Sequence, residues 1–125
     1  MEVLSLKVSA QREWAVVPRV ALRAAGAVAG LTAEALEELC MACDEAGETL
    51  RSQPFCASAL CVKLLREGSE LVLSLSAEFS EGKQDFSAPD EDMVEAVLLT
   101  CMASVALSKE KGLITGIHMT TPVIP

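Results

Sequence analysis

The chain opens on a period of two. Leu4, Leu6 and Val8 alternate with Ser5, Lys7 and Ser9, which predicts a half-buried strand over residues 2–9. The period then lengthens. Trp14, Val17, Val20, Leu22, Ala24 and Val28 predict a helix over about residues 13–29. Pro18 either sits in its first turn, where a missing N–H does no harm, or kinks it. Gly30 ends that helix and Thr32 caps the next. The second helix is predicted over about 33–52, stopping before Pro54. Its stripe is Leu36, Leu39, Cys40, Cys43, Gly47 and Leu50, and Glu34, Glu37, Glu38, Asp44, Glu45 and Glu48 crowd its other sides. Alternation returns with Leu60, Val62 and Leu64, then with Leu71, Leu73 and Leu75. A hairpin over 57–66 and 70–79, turning at Glu67-Gly68-Ser69, fits that pattern. Residues 80–92 are polar, carry Gly82 and Pro89, and read as a loop. Met93, Val94, Val97, Leu98, Cys101 and Val105 predict a third helix over about 91–108. Lys111-Gly112 then turns the chain into a last strand, 113–121.

This order predicts an α+β fold in two layers. Three helices pack on one face of a mixed sheet of four strands or more. At 125 residues the chain makes one domain, 1–125, with a core of its own. Aromatics are scarce, so Leu, Val, Ala, Cys and Met must build that core, and stacking recognition of single-stranded nucleic acid is disfavoured. A net charge of −8 disfavours nucleic acid and anionic membrane as direct partners. The charge is uneven. The second helix and residues 78–95 are acidic, whereas Lys7, Arg12, Arg19 and Arg23 make the first 31 residues mildly basic. Arg19 and Arg23 lie one turn apart and share a face. They are either solvated or anchors for an acidic partner surface. The start lacks an apolar signal region, and Glu95 interrupts the longest apolar run, Met93 to Leu107. That run is also shorter than the ~20 residues a bilayer needs, so a cytoplasmic protein is expected.

Cys40 and Cys43 form a C-x-x-C, the spacing of a redox pair or half a zinc site. The five cysteines include no second such pair, and His118 is the single histidine. Both thiols sit mid-helix on the apolar stripe, away from a helix start that would stabilise a thiolate. Buried helix residues, and no metal, are the expectation.

Glu45 and Thr49 are spaced four residues apart on the second helix. The helix resembles the nucleotide-binding helix of the histidine-kinase-like ATPases, whose motif is Glu-x-x-x-Asn. Together with the element order, it resembles the anti-sigma factor kinases of the bacterial sporulation and general-stress switches, over nearly the whole chain. Pro18-Arg19-Val20 resembles the start of that family's first helix, where an arginine contacts the partner. Gly30-Leu31-Thr32 resembles its interhelical turn. Leu71 through Gly82 resembles the strand leading into its Asp-x-Gly-x-Gly box. The resemblance implies Glu45 as the base that activates a hydroxyl or water, and Thr49, Glu78 and Gly82 at the nucleotide. It implies a sigma factor and an antagonist protein as partners, and a homodimer.

The departures from the family's pattern all weaken the nucleotide site. Thr49 offers a hydroxyl where an amide oxygen would ligate magnesium. Glu78 stands for an aspartate, one methylene longer. Ser80 occupies the first glycine position of the box and Gly82 the second. Ala88-Pro89-Asp90-Glu91-Asp92 replaces the glycine run that cradles phosphates. Phosphates bind free N–H groups at a helix start, whereas three acids there suit the helix dipole alone. The expectation is an anti-sigma regulator that needs no cofactor, its nucleotide site lost or weak. Two alternatives stand beside it: an active serine kinase using ATP with magnesium, and an unrelated α+β domain with redox or metal chemistry at Cys40 and Cys43.

Overall fold

A computed structural model describes residues 1–123. The first alternating segment forms strand β1 (Glu2–Ser9), and a short 3-10 turn at Arg12–Trp14 leads into helix α1 (Val16–Val28). Pro18 sits in the first turn of α1, buried, and the helix runs on unbroken. Gly30 closes it at a positive φ of 95°, a conformation that L side chains resist. Thr32 then caps α2 (Ala33–Arg51), its hydroxyl accepting from the Ala35 N–H at 3.1 Å.

Strands β2 (Phe55–Glu67) and β3 (Glu70–Lys83) form the expected hairpin and are longer than the alternation alone implies. Bulges near Ala57 keep Phe55 paired with Lys83, so the expected loop shrinks to about residues 84–90. Helix α3 is Glu91–Leu99, half the predicted length. Thr100 closes it, its hydroxyl donating to the Val97 carbonyl at 2.6 Å. The remainder of the predicted helix is strand β4 (Ser104–Glu110), in which Val105 and Leu107 point inward between exposed Ser104, Ala106 and Ser108. Lys111 and Gly112 both take positive φ, the signature of a two-residue hairpin turn, and β5 (Leu113–Pro122) returns alongside β4.

The sheet order is β1-β2-β3-β5-β4. Every pairing is antiparallel, where a mixed sheet was expected, because the added β4 enters as a hairpin partner of β5. All three helices pack on one face. Leu22, Leu39, Ala42, Cys43, Ala46, Leu50 and Leu98 meet Leu60, Val62, Leu64, Leu71, Leu73, Leu75, Ile117 and Met119. Burial at roughly 25 cal/mol per Å² of apolar surface makes this seam the main stabilising term. Among the described residues no helix is long and apolar enough to cross a membrane.

The apolar residues of α1 are divided differently from their simple periodicity. Pro18, Leu22 and Gly26 face the core. Trp14, Val16, Val17, Val20 and Val28 stay exposed, Val20 by 61% and Val28 by 90%. On α3 only Leu98 is fully buried, while Met93 and Val97 face outward.

Candidate functional site

Helix α2 carries Cys40, Cys43, Glu45 and Thr49 of the residues expected from the sequence. Its inner stripe holds Cys40 and Cys43, both buried. Burial pushes the Cys43 thiol up to about 12 and raises that of Cys40 as well. Such thiols stay protonated at neutral pH, so they are poor nucleophiles and poor metal ligands. The Cys40 thiol lies 3.8 Å from the Arg19 carbonyl, across the α1–α2 contact.

The outer flanks of α2 bind α1, and the 3-10 turn before it, through charge. Arg12 places Nε and NH2 at 3.2 and 2.6 Å from the two oxygens of Glu48. Arg19 Nε donates to both oxygens of Asp44, at 3.2 and 3.0 Å. Arg23 reaches Glu37 at 2.7 Å. The basic first helix is thus matched to its own acidic neighbour. All three pairs are largely exposed, which limits what each adds to stability. Hydrogen bonding from Arg12 holds the Glu48 carboxyl below the ordinary range.

Glu45 and Thr49 share one flank of α2, Glu45 exposed and Thr49 half-buried. Glu45 borders a depression of about 320 Å³ together with Arg12, Arg19 and Arg51. Glu78 is elsewhere. Leu71, Leu73 and Leu75 set the inward parity of β3, so Glu78 points to the face away from the helices. There it pairs with Lys7 at 2.8 Å, and the Cys61 thiol lies 3.9 Å from it. Gly82 lies near the end of β3 beside Cys56. The structure therefore keeps Glu45 and Thr49 together and places Glu78 on the opposite side of the sheet.

The segment before α3 is occupied by its own interactions. The Gln84 side chain donates to the carbonyls of Arg51 and Gln53. Asp90 caps α3 by accepting from the Met93 N–H at 3.2 Å. Glu91 pairs with Lys109 at 2.7 Å. A depression of about 350 Å³ between α2 and α3 is bordered by Glu34, Glu38, Thr100 and Met102, with no basic residue among the described residues that line it.

Two polar residues at the end of α2 escaped the sequence reading. Gln53 is wholly buried. Its amide donates to the Ile114 carbonyl and accepts from the Ile114 N–H, both at 2.8 Å, so it ties α2 to β5. Arg51 is also buried, and its Nε donates to the Ala10 carbonyl at 2.7 Å. Neither stands in a motif, and both lie in a short polar stretch that reads as a helix end.

No protein-family model matches this chain, and no curated protein does. A solved structure does: the crystal structure of the RsbU and RsbW domains of Rv1364c from Mycobacterium tuberculosis, with a TM-score of 0.67 and 15% sequence identity. The match covers 94% of this chain and 31% of that one, so the chain spans about a third of its length. The fold is thus RsbW-like.

Proposed function

We propose that this protein is a binding regulator of the anti-sigma type, which holds a sigma factor and is released by an antagonist protein, with its nucleotide site lost or weak. The observation that carries the reading is the outward face of α1. Val16, Val17, Val20 and Val28 form an apolar stripe left in water, with Trp14 at its start and Arg19 and Arg23 alongside. Exposed apolar residues in a contiguous stripe mark interaction surfaces more often than chance. Arginines beside them are favoured anchors. The RsbW-like fold supports the choice of partner class.

The same face explains how Arg19 and Arg23 could be available. Each is tied to an exposed acid, and exposed pairs exchange readily for a better partner. An acidic partner surface would take the guanidinium from Asp44 or Glu37 without unfolding either helix. Homodimer formation and a cytoplasmic location belong to this reading as proposals.

The test is capture from a bacterial lysate on the immobilised chain, followed by mass spectrometry and a binding titration. A sigma factor should be retained. Arg19→Glu and Val20→Asp should each weaken it by more than about tenfold, as expected for anchors at an interface centre. Their unfolding midpoints should stay near that of the unaltered chain, because both side chains are exposed. Wild-type affinity in both variants would place the interface elsewhere.

A further inference from the structure

The sheet face turned away from the helices carries an imidazole held between two hydroxyls. Leu73, Leu75, Ile117 and Met119 point into the core, so their strand neighbours Ser74, Ser76, Gly116 and His118 share the opposite face. The register sets these side by side. His118 stands opposite Ser74 of β3, and Ser108 of β4 stands opposite Gly116. The imidazole leans over Gly116, with Nδ1 3.0 Å from the Ser74 hydroxyl and Nε2 3.0 Å from the Ser108 hydroxyl. A glycine permits that lean, because a Cβ at 116 would stand 3.3 Å from Nε2.

A neutral imidazole donates at one nitrogen and accepts at the other. One serine therefore receives a hydrogen bond from the ring, and the other gives its proton to the ring. Ser74 is half-buried and Ser108 is exposed. Ser108 also borders an open depression of about 470 Å³ with Ser76, Thr115 and His118. That depression lies where the sheet forks. β3 pairs with β5 as far as Ser76 opposite Gly116, then runs on to Lys83 without it.

We infer that Ser108 is a nucleophile for acyl transfer from small activated carboxylic esters, with His118 as general base and Ser74 as positioning residue. The inference is independent of the partner proposed above. Nδ1–H donates to Ser74 and fixes the tautomer in which Nε2 accepts from Ser108. Oγ of Ser108 attacks the ester carbonyl as Nε2 takes its proton. The bond to the alcohol oxygen then breaks, and the alcohol leaves with that proton. Water cleaves the acyl–Ser108 bond by the same route, which releases the acid and restores the hydroxyl. Among the described residues no carboxylate bonds His118, so the imidazolium formed on the way has only hydroxyl support. This restricts the site to esters with good leaving groups.

The experiment treats the intact chain with p-nitrophenyl acetate and, separately, with a fluorophosphonate probe, and locates the modified residue by peptide mass spectrometry. Ser108 should be acetylated by the first and phosphonylated by the second, with loss of fluoride. Ser108→Ala should keep the fold, since the residue is exposed, and should lose the saturable part of p-nitrophenol release. His118→Gln should slow modification by at least about a hundredfold, the usual worth of a general base. Ser74→Ala should lower the maximal rate and leave half-saturation unchanged, and Ser74→Thr, which keeps the hydroxyl, should restore it. If His118→Gln fails to fold, the wild-type chain, Ser108→Ala and the two Ser74 variants decide the matter. An unmodified Ser108 in the wild-type chain, or undiminished modification in a folded His118→Gln, would overturn the activity. Modification of Ser74 in place of Ser108, or an unchanged rate in Ser74→Ala, would overturn the roles assigned to the two serines.

Discussion

Cys43 carries a C-x-x-C spacing into an environment that removes its chemistry. The spacing is visible in the sequence, and so is the apolar stripe that buries it, because both belong to one helix. The consequence for pH can be worked out. Burial raises the folded thiol from 9.0 to about 12, so the thiolate forms first in the unfolded chain. Its contribution to stability is complete below pH 9 and is lost as pH rises towards 12. The difference in unfolding midpoint between wild type and Cys43→Ala should therefore shrink steadily above pH 9. A difference that stays constant to pH 11 would mean the thiol is not buried as described. The chain has no tyrosine to titrate in the same window. Glu78 and Arg51 show where residue-level reading stops. Matching Glu78 to a motif fixed its place in the sequence but not the parity of its strand. The surroundings of Arg51 come from β1, α1 and β2, which no local window contains.

At the scale of elements, the ends of α1 and α2 were legible because their caps are local: Gly30, Thr32 and Pro54 act on their neighbours. The run from Met93 to Leu107 was not. Its apolar residues satisfy a helical period up to Leu98, and Val105 and Leu107 satisfy a period of two after it. The two overlap without a glycine or proline between them, and the pairing that decides the matter is with β5, from Glu110 with Leu113 at the turn to Ser104 with Thr120 at the far end. What was legible in this region is the acidic start of α3. Asp90 serves as its cap and Glu91 as an ion-pair partner, so both are committed to the helix. Asp90→Ala should then cost about 1 kcal/mol in denaturant unfolding, with a similar dependence on denaturant concentration. No loss of stability would show that the cap is not formed and that the N–H groups at this helix start remain available.

For the whole molecule, the question is whether this fold carries the nucleotide site that the sequence resemblance implies. The layers, the helix order and the hairpin followed from hydrophobic periods, which is why the fold was accessible before any coordinate. A nucleotide site demands more, because it needs side chains from three elements to converge. Glu45 and Thr49 remain together on α2. Glu78 lies across the sheet, paired with Lys7. The connection that would cradle phosphates carries Asp85, Asp90, Glu91 and Asp92, and Asp90 already fills its helix start. In that region a triphosphate would meet like charge, at a cost of roughly a few kcal/mol for each contact near ~4 Å at a protein surface. Calorimetry with Mg-ATP should accordingly detect no binding tighter than about 1 mM, roughly −4 kcal/mol. Thr49→Asn supplies the missing amide but leaves the acids and Glu78 where they are, so it alone should not restore affinity. Micromolar binding by the unaltered chain would revive the kinase reading, with Glu45 as its base. Tight binding by Thr49→Asn alone would mean that the magnesium ligand, and not the acidic connection, is what this chain has lost.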